Sequence, residues 1–94
     1  MFVKQFLEAA GGLIDERGAD YGGVEDNFAN TASIANAILG RDLTAYDVAV
    51  VLAAVKLARM RVSPHKLDSY LDCANYIAFA AALRPDLLAE IERR

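Results

Sequence analysis

Phe2, Phe6, Ala10, Leu13 and Ile14 recur at helical spacing, which predicts an amphipathic first helix over residues 3–17 that Gly18 stops. The Gly11-Gly12 pair weakens it and marks either a bend, a close helix crossing or a tolerated defect. Residues 18–25 read Gly-Ala-Asp-Tyr-Gly-Gly-Val-Glu; with glycine at positions 18, 22 and 23 this stretch is expected to be a loop. Phe28, Thr31, Ile34, Ala35 and Ile38 then restore the period, giving a second helix near 27–39 with Asp26 as its N-cap and Gly40 as its stop.

Thr44-Ala-Tyr-Asp47 is a capping-box variant that opens a third helix running to about Val62. Val48, Val50, Val51, Leu52, Val55, Leu57 and Met60 cover nearly every direction of this helix, the pattern of a central, buried element. Ser63-Pro64 predicts an N-cap and an N1 proline, so a fourth helix is expected from there to about Leu83. Its core face is expected to be Leu67, Tyr70, Leu71, Ala74, Ile77, Ala78 and Ala81. The Arg84-Pro85 break precedes a short terminal helix, Asp86 to Arg93. No stretch alternates with period two, so the predicted fold is all-α: one domain over residues 1–94, an antiparallel bundle of four main helices plus a short C-terminal helix. The third helix is too apolar for so small a chain to cover, and assembly into a homo-oligomer is expected to complete the core.

Composition narrows the partners. A net charge of -3, with ten Lys and Arg scattered along the chain, leaves no basic field for duplex nucleic acid. The longest apolar run, Val48 to Val55, is far short of the roughly 20 residues a membrane span needs, and no signal-peptide pattern is present. Cys73 is the single cysteine, which suits a reducing compartment, so a cytoplasmic protein is expected. Flanked by apolar residues, Cys73 reads as an inert core thiol.

The candidate chemistry lies on the third and fourth helices. At 100° per residue, His65, Asp68, Asp72 and Asn75 fall on one stripe, continued by Tyr76 and Phe79. Two carboxylates at i and i+4 are hard oxygen ligands that suit a hydrated magnesium ion. Lys56 and Arg59, one turn apart on the most apolar helix, require anionic partners, either Asp68 and Asp72 or a bound phosphate. The first case is a structural ion-pair network; the second is a nucleotide site with Asp68 and Asp72 on its metal. His65, at the predicted first turn where the macrodipole disfavours its cation, is not expected to be an acid catalyst and reads as a surface residue.

The strings Asp20-Tyr21-Gly22, Lys56-Leu-Ala-Arg59 and Asp68-Ser-Tyr-Leu-Asp72-Cys-Ala-Asn75-Tyr76 together resemble a family of small phage and prophage helical proteins, and also nucleotide-modification-associated helical domains. More distantly, the late acid-x-x-x-Asp pair is similar to half of the metal motif of MazG-like all-α nucleotide pyrophosphohydrolases. These resemblances imply a phage-type protein of nucleotide metabolism, with Asp68 and Asp72 as magnesium ligands, Lys56 and Arg59 as phosphate contacts, Asn75 as an orienting amide and Tyr21 as a base-stacking ring. MazG-like enzymes add an earlier Glu-x-x-Glu, which this chain lacks: Glu25 is followed by Phe28. Three readings stay open here: a nucleotide-binding protein able to hydrolyse its ligand with a metal, a binder that sequesters a signalling nucleotide unchanged, and a structural or interaction module with internal ion pairs.

Overall fold

The computed structural model describes residues 2–21 and 23–94, and the side chains of these except residues 17–21 and 24. Five helices run in order: α1 (Phe2–Tyr21), α2 (Val24–Leu39), α3 (Ala45–Val62), α4 (Leu67–Ala82) and α5 (Pro85–Glu92). Among the described residues there is no strand, so the expected all-α class holds. The hairpin of α3 and α4 is the centre; α2 packs on α3, α1 on α4, and α5 on the end of α4.

Local signals set several boundaries as expected. The Thr44 hydroxyl accepts from the Asp47 amide at 3.1 Å while the Thr44 amide donates to Asp47 Oδ2 at 2.9 Å, a closed capping box that starts α3. Gly40 ends α2 at φ 65°, its amide donating to the Asn36 carbonyl. A residue with a side chain is strained there, which is why glycine stops the helix.

Other boundaries differ. The helical backbone of α1 continues through Gly18 to Tyr21, and α2 begins at Val24, so residues 18–21, 24 and 25 of the expected loop are helical instead. A glycine costs only about 1 kcal/mol in a helix interior, too little to end a helix that goes on gaining a hydrogen bond per residue. Gly23, rather than Asp26, is the α2 N-cap; Glu25 and Asp26 sit in the first turn, favoured by the positive helix end. Neither Gly11 nor Gly12 marks a close crossing, since a Cβ at either would meet nothing within 4 Å. Ser63 caps the end of α3, and α4 starts at Leu67 instead of at Ser63-Pro64. Between them the Lys66 amide donates to the Ser63 carbonyl and the Tyr70 hydroxyl to the Pro64 carbonyl, which holds the segment as a turn and leaves His65 exposed outside the helix.

The core lies where α2, α3 and α4 meet: Phe28, Ala32, Val48, Ala49 and Ala80, with Tyr76 and Phe79 packed against it. The Phe28 ring meets Phe79 edge-on at 5.8 Å and Tyr76 at 6.3 Å. This covers the two aromatics that the sequence placed on a polar stripe.

The single chain leaves much of α3 uncovered, as its all-round apolar pattern implied, and it overturns the expected core face of α4. On α3 only Val48, Ala49 and Ala53 are buried, while Val51, Leu57 and Val62 are 55%, 56% and 83% exposed. The helix is central in sequence pattern but half uncovered. On α4 the faces are exchanged: Ser69, Leu71, Asp72, Cys73, Asn75 and Ala80 are buried, whereas Leu67, Ile77, Ala78 and Ala81 of the expected core face are exposed. Of that expected face only Leu71 is buried, with Tyr70 and Ala74 intermediate. The cause is satisfaction of the polar groups. Asn75 Nδ2 donates to the Ala10 carbonyl of α1 at 2.9 Å, and Asp72 meets Lys56 of α3 at 2.9 Å, so α1 and α3 settle on the polar side of α4.

Candidate functional site

The polar side of α4 and the C-terminal half of α3 run antiparallel, and two zones of charge result. In the middle of the hairpin the Lys56 ammonium lies 2.9 Å from Asp72 Oδ2, both side chains largely buried. The partner that Lys56 needs on so apolar a helix is therefore Asp72, and this part of the constellation is an internal ion pair. Cys73, buried one residue on, directs its thiol at the Ala53 carbonyl at 3.7 Å and packs as the expected core residue.

At the end of the hairpin the arrangement changes. Val55, Ala58, Arg59 and Val62 of α3 join Ser63 and Lys66 of the turn and Asp68 and Ser69 of α4 around an open depression of about 690 Å³. Arg59, Lys66 and Asp68 are exposed and form no ion pair among the described residues. Of the anionic partners expected for Arg59, neither Asp68 nor Asp72 pairs with it among the described residues. Ser69 is buried at the edge of this depression, and among the described residues no buried side-chain nitrogen or oxygen lacks a partner. The N-cap of α4, Lys66, offers no side-chain acceptor, so the first-turn amides of α4 have no side-chain cap.

The structure thus brings Arg59 and Asp68 onto one surface and joins Lys56 to Asp72 a turn away. It separates the others. Asn75 is engaged with α1 through its amide nitrogen, and the side chain of Tyr21 lies outside the described residues. His65 does not share the α4 stripe. Among the described residues no three His, Cys, Asp or Glu side chains gather as a metal-binding group. A divalent ion here would draw at most Asp68 from the chain and keep its other ligands as water or phosphate oxygens. Lys66 and Ser69 are the residues the sequence reading missed. Placing the start of α4 at residue 67 instead of 64 would have put Lys66 at the cap and Ser69 in the first turn.

Also among the described residues, no helix is long and apolar enough to cross a membrane. No solved structure matches the chain significantly. The Gene 55 protein of Mycobacterium phage D29 is 32% identical over 74 residues, which are 78% of this chain and 49% of that relative. The chain therefore spans about half the length of the curated relative it matches, and the expected likeness to a phage helical protein is met. The family model for a domain of unknown function, DUF6378, matches residues 5–84, from the first turns of α1 past the end of α4, and the chain belongs to that family.

Proposed function

We propose that this chain binds a small phosphate-bearing ligand, a nucleotide, in the depression between the end of α3 and the start of α4. The observation that carries the reading is the convergence there of Arg59 and Lys66, exposed and unpaired among the described residues, with the first turn of α4, which has no side-chain cap. Guanidinium and ammonium groups match phosphate oxygens, and a helix N-terminus adds amide donors and a positive dipole. The apolar flank of Val55, Ala58 and Val62 offers a surface to a base or sugar.

Asp68 would repel a bare phosphate but suits one that carries Mg²⁺, so the ligand is a magnesium-bound nucleotide. The resemblance to nucleotide-modification-associated domains and to MazG-like enzymes supports the same ligand class. Asp72, the second carboxylate of the late acidic pair, is engaged with Lys56, and this favours binding without turnover over hydrolysis. We also propose homo-oligomeric assembly, supported by the apolar surfaces of α3 and α4 that the single chain leaves uncovered.

The test is calorimetric titration and thermal melting with a panel of nucleoside triphosphates, each with and without magnesium. Saturable binding and a raised melting temperature are expected, with the nucleotide recovered unchanged. Release of pyrophosphate would shift the reading to a hydrolase. Absence of both heat and melting shift across the panel would overturn nucleotide binding.

A further inference from the structure

We infer that the outward face of α4 is a self-association surface across which two copies of this chain pack antiparallel about a two-fold axis. The inference rests on the oligomer reading and specifies its interface. Leu67, Tyr70, Ala74, Ile77 and Ala81 follow one another at steps of 3, 4, 3 and 4 residues, the spacing of a helix that seats a seam against another helix. No charge interrupts the stripe. In the single chain Leu67 and Ile77 are each 54% exposed and Ala81 is exposed, Tyr70 and Ala74 between them are half-buried, and Ser69, Asp72 and Asn75 on the other side are buried. A helix that turns its polar side inward and its apolar side to water is half of an interface.

The area agrees. The chain exposes 6949 Å², whereas a compact monomer of 10.2 kDa exposes about 5,300 Å². The excess, about 1,600 Å², is twice the roughly 800 Å² that each partner commits to a standard stable interface. The Cα radius of gyration, 14.4 Å, exceeds the value of about 12.4 Å for a compact chain of this length. The extra surface therefore belongs to a flattened shape, 45 × 39 × 24 Å.

A second copy is the occupant that this stripe fits. It carries both halves of its own complement, bulky Leu67, Tyr70 and Ile77 beside small Ala74 and Ala81, so side chains of one copy enter the gaps of the other and the backbones approach closely. Antiparallel packing also sets the positive N-terminal end of each α4 beside the negative C-terminal end of its partner.

Sedimentation of the full chain at high micromolar concentration is expected to give about twice 10.2 kDa. Ala74→Glu, at the middle of the seam, would place a charge at the contact, and it is expected to raise the dimer dissociation constant about a hundredfold with the helical circular dichroism retained. In a separate arm Ala74→Cys, treated with a short bis-maleimide, is expected to give a covalent dimer; the wild type, whose only thiol is buried, gives none. If Ala74→Glu fails to fold, the cross-link decides. A wild-type chain that sediments as a monomer overturns both self-association and this interface. A wild-type dimer with Ala74→Cys uncrosslinked overturns the α4 interface alone and leaves the oligomer reading to the exposed face of α3.

Discussion

The middle of the α3–α4 hairpin and its end carry similar charges and use them in opposite ways. In the middle, Lys56 and Asp72 are drawn from water and meet at 2.9 Å. At the end, Arg59, Lys66 and Asp68 line an open depression and reach solvent. The difference is burial. A charge removed from water must find a counter-charge within the chain, and doing so uses up its capacity to meet a ligand. A charge left at the surface is only weakly held by its neighbours and stays available. Substitutions in the middle should accordingly be read in stability, and substitutions at the end in ligand affinity.

The largest effect is expected from Asp72→Ala. It leaves the Lys56 ammonium largely buried without its carboxylate, and removing one member of such a pair costs about 3 to 5 kcal/mol. Urea denaturation followed by circular dichroism measures it. A loss under about 1 kcal/mol, the range of exposed pairs, would mean that the middle of the hairpin behaves like its end. Asn75→Ala ranks next, since it removes the side-chain donor that ties the Ala10 carbonyl of α1 to α4. About 1 to 3 kcal/mol is expected, with faster amide exchange in α1 than in α3.

How much of this was legible in the sequence follows from the range of the forces. The start of α3 and the end of α2 were readable because Thr44, Asp47 and Gly40 act within one turn. The Lys56–Asp72 pair was legible only as one of two alternatives, because an apolar helix demands an anionic partner for its lysine but does not say whether that is a carboxylate or a bound phosphate. The inward face of α4 was not. Periodicity finds the apolar stripe of a helix, but which stripe the chain itself covers depends on long-range partners, here the Ala10 carbonyl and Lys56, neither marked by local pattern. An apolar stripe left to solvent looks the same in sequence as one facing the core. At the site, Lys66 and Ser69 were hidden by the Ser63-Pro64 signal, which reads as a helix start but makes a turn.

A smaller effect belongs to a third pair, Arg84 and Asp86, at the start of α5. The hydrogen bond from Arg84 holds the Asp86 carboxyl below its ordinary range. The sign follows: a depressed carboxylate adds stability above the unfolded pKa and loses it as pH falls through the folded one. The pair is exposed, so the contribution is small and screened by salt. Stability of the wild type relative to Asp86→Asn is expected to show a slight advantage at neutral pH that disappears on acidification and in high salt. An advantage that persists at low pH would assign it to packing instead of charge.

The smallest effect on stability is expected at Arg59, and there the contrast between the two zones is sharpest. Its guanidinium is exposed and unpaired among the described residues, so Arg59→Ala should change unfolding free energy by less than about 0.5 kcal/mol. Under the proposed binding the same substitution would remove a charge-assisted contact to phosphate, worth about 1.5 to 3 kcal/mol, and should weaken nucleotide affinity about ten- to a hundredfold. Lys56→Met should do the reverse below its melting temperature, losing stability while keeping affinity, because its ammonium is already held by Asp72. If titration shows Lys56→Met losing the ligand and Arg59→Ala retaining it, the ligand lies in the middle of the hairpin, and the division between structural and available charge must be drawn the other way.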